Sequence, residues 1–116
     1  MKFLVVDDDI ISRMMLSSIL KQFGEIQEAA SAEEAMKIVV GIPEVHQVFN
    51  AIFLDVTMPG MSGIECLREI RKFEQELGMD VGEGFKVIMA TGDAEDETVS
   101  GSFTEQCDGY ILKPFV

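Results

Sequence analysis

The chain reads as a doubly wound α/β domain built on a mostly parallel sheet with helices on both faces. Strand-like and helix-like patterns alternate along all 116 residues. The strand segments are short, continuous apolar runs, as expected of strands covered on both sides. Polar residues gather where those runs end. No internal repeat, low-complexity stretch or change of composition marks a linker, so residues 1–116 are read as one domain.

The first strand is predicted over residues 3–6. Beyond it Ile11, Met15 and Ile19 step by four, with Leu16, Leu20 and Phe23 on the adjoining flank, which predicts an amphipathic helix over 10–23 closed by Gly24. A weaker strand follows over 26–29. Ser31 with Glu34, and Ser62 with Glu65, match the S-x-x-E capping box and open helices over 32–40 and 63–77. Strands are expected at 51–54, 87–90 and 110–112. Asp93 is placed to cap a poorer helix over 94–106, weakened by Gly101 and by β-branched Thr98, Val99 and Thr104. Two segments, GIPEVHQVFN and FEQELGMDVGEGF, lengthen connections away from the strand ends, and His46 in the first reads as an exposed loop histidine.

Composition excludes several functions. A net charge of −12 argues against a binder of phosphate backbones, which needs clustered Lys and Arg. Cys66 and Cys107 lie on different elements without CxxC spacing and read as reduced thiols. No apolar run approaches the ~18 residues of a membrane span, and Met-Lys leads straight into the first strand, so a cytoplasmic protein without membrane contact is expected.

Strand one runs into Asp7, Asp8 and Asp9, strand three into Asp55, strand four into Thr91 and strand five into Lys113. In the flavodoxin-like strand order 2-1-3-4-5 the first and third strands are neighbours, so Asp7, Asp8 and Asp55 would converge at one mouth. Crowded carboxylates repel unless a cation lies among them or one is protonated, and all-oxygen ligation with room for water suits Mg²⁺. Taken alone, Asp7–Asp9 read equally well as helix caps. Asp55, Thr91 and Lys113 at matching strand ends favour the cation site.

Four separated motifs, FLVVDDD, FLDVTMPGMSG, IMATG and GYILKP, resemble the receiver domains of two-component response regulators across essentially the whole chain. The resemblance implies that Asp55 accepts a phosphoryl group, that Asp7, Asp8 and the Thr57 backbone carbonyl join it in holding Mg²⁺, and that Lys113 contacts the phosphate. It further implies Thr91 as a switch hydroxyl, Tyr110 as the aromatic whose rotamer follows it, and Thr57 and Asp93 as modulators of water attack. The bond before Pro114 is expected to be cis, and Asp9 is left to cap the first helix. Thr91 and Tyr110 also read as an ordinary strand-end threonine and a half-buried tyrosine.

The implied partners are a sensor histidine kinase or phosphotransfer protein and a downstream effector, with no direct contact to nucleic acid. The implied chemistry is the domain's own phosphorylation and dephosphorylation and not turnover of a substrate. Receivers carry a fifth helix beside the first, for which Phe115 and Val116 are too few. An open sheet face is therefore expected, covered by further chain or by a second subunit, with a homodimer preferred. A haloacid-dehalogenase-type phosphatase would use Asp7 and Asp9 with Thr91 and Lys113, but would leave Asp55 and its MPGMSG loop without a role. A receiver acting purely as an interaction module is the third reading.

Overall fold

A strand that is apolar on both sides can bury its backbone polar groups only by pairing along both edges, and its side chains only by being covered on both faces. The computed structural model meets both demands with five parallel strands in the order β2-β1-β3-β4-β5. It describes residues 1–41, 49–79, 84–92 and 107–113. Within these the elements are β1 (Lys2–Val6), α1 (Ile10–Leu20), β2 (Glu25–Ala29), α2 (Ala32–Val40), β3 (Ala51–Asp55), α3 (Gly63–Glu76), β4 (Val87–Thr91) and β5 (Gly109–Leu112). The helix expected over 94–106, His46, and the bond between Lys113 and Pro114 lie outside the described residues.

Register decides what meets at the carboxyl edge. Val6 lies opposite both Ala29 and Leu54, so Asp7 and Asp55, one step further along, emerge side by side. Asp55 pairs with Ala90, and Thr91 with Leu112, which places Thr91 one step beyond the level of Asp55 and Lys113 one step further on the next strand.

Leu4, Val6, Ile52, Leu54, Val87 and Met89 project to one face, where Ala35 and Val39 of α2 and Leu67 and Ile70 of α3 complete the larger buried cluster. Both helices open on serine caps as expected: Ser31 Oγ accepts the Glu34 N–H at 3.1 Å, and Ser62 Oγ accepts the Glu65 N–H at 3.2 Å. Cys66 is buried in this layer, and burial, followed by the charges of Glu33 and Glu69, pushes its thiol up to about 12, so it is inert at neutral pH.

The other face is thinner. It buries Val5 and Ala90 under Leu16, with Ile19, Leu20, Ile26, Phe53 and Ile111 packed around them. Here the apolar stripe is only partly used. Ile11 and Met15, expected on the buried side of α1, are 65% and 39% exposed, and Phe23 is 63% exposed. The helix rests on the sheet through Leu16, Ile19 and Leu20, an i, i+3, i+4 set that leaves the neighbouring rows facing outward. α1 is also shorter than its periodicity suggests. It ends at Leu20, and the chain turns more tightly through Phe23, whose N–H donates to the Leu20 carbonyl at 2.8 Å.

At the pole away from the carboxyl edge, the Arg71 guanidinium ties α3 to β4 and β5. It donates to Glu74 at 2.9 Å, to the Phe85 carbonyl at 2.8 Å and to Asp108 at 3.1 Å. Glu74, buried beside it, accepts the Phe85 N–H at 2.6 Å, and Asp108 accepts the Val87 N–H at 2.8 Å. These charge-assisted bonds hold the entry points of the two strands that carry Thr91 and Lys113.

Gly63 marks the closest packing near the carboxyl edge: a Cβ there would fall inside the carbonyl group of Asp55, with backbone on every side and no flexible side chain to move. Gly63→Ala is expected to destabilise the domain by about 1–3 kcal/mol, the range for forced overpacking, read as a lower urea midpoint at unchanged slope. A midpoint equal to wild type would show that the turn relaxes freely.

Candidate functional site

The Asp7 N–H still donates to the Ala29 carbonyl at 3.1 Å, so its backbone continues β1 while its side chain is buried at the strand mouth. One carboxylate oxygen accepts the Asp9 N–H at 2.9 Å; the other takes the Lys113 ammonium at 2.8 Å. The Asp7 carbonyl accepts from Arg13 Nη1 at 2.7 Å, and Arg13 is held in turn by Glu28 at 2.8 Å. Asp8 stands next in the chain with an exposed side chain.

Asp55 ends β3, 6% exposed, with Oδ1 3.2 Å from Lys113 Nζ. Loss of hydration pushes its carboxyl up to about 6, and the Asp7 charge adds to the effect. Lys113 and the Thr57 N–H pull the other way without cancelling it. Burial lowers the Lys113 ammonium, but its hydrogen bond to Asp7 and the charges of both aspartates outweigh that and hold it above the ordinary lysine value. Thr91 is buried at the end of β4, and its carbonyl accepts the Lys113 N–H at 2.8 Å, which fixes where the lysine leaves the sheet.

These residues frame a cleft of about 420 Å³ lined by Asp8, Asp9, Asp55, Thr57, Thr91, Gly92 and Lys113. One oxygen from each of Asp7, Asp8 and Asp55 lies within 4.8 Å of the others. Three hard anionic donors at that spacing, with one ammonium among them, suit a hard divalent cation.

The fold thus brings together Asp7, Asp8, Asp55, Thr57, Thr91 and Lys113. Asp9 lines the same cleft, but its carboxylate caps α1 by accepting the Ser12 N–H at 3.3 Å and the Ser12 hydroxyl at 2.7 Å. Those bonds hold its carboxyl below the usual range. The Asp7 and Asp9 pair required by the phosphatase reading is therefore not formed: one is paired with lysine and the other is a helix cap. Tyr110 projects from β5 two residues short of the edge and is 53% exposed. Asp93 lies outside the described residues. Sequence reasoning missed Arg13. Its signal was being the sole cation in a helix of otherwise apolar and hydroxylic residues, four positions beyond the cap at Asp9.

Comparison with known proteins agrees with this geometry. The family model for the response regulator receiver domain matches residues 3–116. Histidine kinase 3 of Arabidopsis thaliana is 30% identical over 98% of this chain, which spans 12% of that protein's length. The chemotaxis protein CheY of Pseudomonas aeruginosa is 29% identical, covering 99% of this chain and 86% of its own. Among solved structures, the receiver domain of the histidine kinase CKI1 from Arabidopsis thaliana complexed with Mg²⁺ superposes with a TM-score of 0.78 at 31% identity, covering 97% of this chain and 82% of that one. The Thermotoga maritima response regulator TrrA, complexed with Mg²⁺ and a beryllium fluoride, gives 0.75 at 33% identity, covering 98% and 87%. The five-stranded order, the acidic mouth with its lysine, and a family match over nearly every residue lead to one conclusion: the chain belongs to the response regulator receiver domains.

Proposed function

We propose that the domain accepts a phosphoryl group on Asp55 from a phosphohistidine of a sensor kinase or phosphotransfer protein, and passes the resulting change of shape to an effector. The observation that carries this reading is Lys113 Nζ lying 2.8 Å from Asp7 and 3.2 Å from Asp55 in a cleft otherwise walled by carboxylates, Thr57, Thr91 and Gly92. A half-buried lysine among acids at the mouth of a parallel sheet is what a site needs if it must hold a dianionic group against its own negative charge.

In the proposed step an Asp55 carboxylate oxygen attacks phosphorus while the P–N bond of the donor breaks and its electron pair returns to the imidazole. The product is an acyl phosphate. Lys113 is already within reach of Asp55 and turns to the transferred oxygens as they arrive. Asp7, Asp8, Asp55 and the Thr57 carbonyl would hold Mg²⁺, which supplies charge neutralisation for the phosphoryl oxygens. With few protein ligands and several retained waters, its affinity is expected to be on the order of millimolar. The Thr91 hydroxyl is proposed to donate to a phosphoryl oxygen, drawing its loop inward and freeing space that Tyr110 then occupies. Thr57 and Asp93 are proposed to govern access of the hydrolysing water.

No helix among the described residues is long and apolar enough to cross a membrane. We place the domain in the cytoplasm. Ile10, Ile11 and Met14, each more than half exposed on α1 directly after the acidic strand end, offer the apolar surface on which we dock the phosphoryl donor. A homodimer would compete for the same side chains.

With acetyl phosphate and Mg²⁺ the wild-type chain should take up one phosphoryl group by intact-mass measurement. Asp55→Asn should take up none, and Lys113→Ala should fall by about tenfold or more, given the weight of electrostatic stabilisation in such transfers. Labelling that survives Asp55→Asn would place the acceptor elsewhere.

The raised Asp55 carboxyl also has a sign. Its charged form is disfavoured in the folded chain, so the penalty is fully present above pH ~6 and vanishes below the unfolded value near 4. Asp55→Asn should therefore raise the Tm of the metal-free protein at pH 7.5 by about 4 °C, the shift that ~1 kcal/mol makes in a domain of this size, with the gain fading toward pH 4. A Tm that falls would mean that the Lys113 pair outweighs desolvation. If Asp93 positions water, Asp93→Ala lengthens the half-life of the labelled protein; an unchanged or shorter half-life removes it from the mechanism.

A further inference from the structure

The segment from Val56 to Ser62 carries the Thr57 carbonyl away from the strand end and back to the start of α3. Its base is closed by the Gly63 N–H donating to the Val56 carbonyl at 2.9 Å. Its inner side is seated by Met58, which is buried, and by Met61, which packs against the same core. Its outer side meets another element. Glu33 Oε1, in the first turn of α2, accepts the Met61 N–H at 3.0 Å across 28 residues of sequence. Directly before that amide, Gly60 adopts φ 75°, and a Cβ there would come within 3.2 Å of the same carboxylate oxygen. The left-handed turn thus lets the loop pass beneath Glu33.

The body that carries Glu33 is itself fixed to the site. α2 starts on the Ser31 cap, and Glu34 accepts the Ala30 N–H at 3.4 Å. The preceding strand ends at Ala29, whose carbonyl accepts the Asp7 N–H. One rigid unit therefore holds the Asp7 backbone at one side of the cleft and the far end of the Thr57 loop at the other. An exposed glutamate in the first turn of a helix is ordinarily explained by the helix dipole, which rewards its charge wherever the side chain points. Here the carboxylate also engages a specific amide, the Met61 N–H.

We infer that Glu33 is a positioning residue for the phosphoacceptor site: through the Met61 amide it sets the seat of the loop and so the direction of the Thr57 carbonyl. This rests on the reading of the cleft as a Mg²⁺-assisted acceptor. A carbonyl ligand is useful only where its loop presents it, and removal of an outer partner releases the ligand without touching it.

The test compares Glu33→Ala with Glu33→Gln, which loses the charge but keeps the acceptor oxygen. Because the chain lacks tryptophan, Mg²⁺ alone is titrated by ¹H–¹⁵N spectra, and hydrogen exchange of the Met61 amide is followed in the same samples without metal. Glu33→Ala should speed Met61 exchange and weaken Mg²⁺ binding, each by about tenfold, the low end for loss of an outer partner, while Glu33→Gln stays within about twofold of wild type. Unchanged Mg²⁺ affinity in Glu33→Ala would overturn the inference. So would equal losses in both variants, which would assign the effect to charge and not to the hydrogen bond. Wild-type protein that binds no Mg²⁺ would overturn the acceptor reading and this inference with it; that failure is told apart because Met61 exchange would still answer to Glu33.

Discussion

Crowding carboxylates at the mouth of a parallel sheet is the constraint around which the rest of this domain is arranged. Asp7 and Asp55 emerge side by side because Val6 and Leu54 are paired, and Asp8 follows directly. Buried like charges at this spacing cost stability unless a cation lies among them. The chain supplies one cation itself, Lys113, from the far end of β5. That single ammonium does not neutralise three acids, and burial together with the Asp7 charge pushes the Asp55 carboxyl upward. The same imbalance makes the site poor at holding the domain together and well suited to receiving a divalent cation and a phosphoryl group.

Function in this fold therefore depends on backbone placement more than on any one side chain. The strand ends are set by register, and register is set by apolar residues far from the chemistry: Leu4, Ile52, Val87 and Met89 on one face, and Val5 and Ala90 on the other. At the opposite pole, Arg71, Glu74 and Asp108 hold the beginnings of β4 and β5, so that their ends arrive level with the acids. Nearer the cleft, Arg13 bonds to the Asp7 carbonyl and Glu33 to the Met61 amide, on the two segments that carry Asp8 and Thr57. The interactions divide into an outer ring of paired charges that fixes geometry and a central set in which two buried carboxylates, Asp7 and Asp55, share the one Lys113 ammonium.

The two faces of the sheet are unequal. The α2 and α3 side is closed by alanine, valine, leucine and isoleucine at helical spacing. The α1 side leaves Ile10, Ile11, Met14 and Phe23 largely in solvent. Exposed apolar side chains next to the acidic cleft form a surface on which the proposed recognition and phosphoryl transfer would share one contact.

By itself the sequence determined the order of the described strands and helices, both serine caps and the residue types at each strand end. These depend on local periodicity, capping chemistry and apolar runs, which act within a few residues and leave a legible pattern. It also pointed to Asp7, Asp8, Asp55, Thr91 and Lys113 as a set, because strand ends in a parallel sheet share one edge whatever lies between them. What it did not determine was how the apolar rows of α1 divide between core and solvent, or where that helix stops. Both are decided by packing against the sheet, and periodicity alone cannot report on packing. The partners of Arg13, Glu33 and Arg71 were equally hidden. Each reaches a group 15 or more residues away, Glu28, Met61 and Asp108, so only the folded backbone brings the pairs together. The different engagements of the Asp7 and Asp9 carboxylates likewise awaited the structure. Neighbouring carboxylates look alike in a string of letters, and it is the turn into α1 that sends one to a lysine and the other to a helix cap.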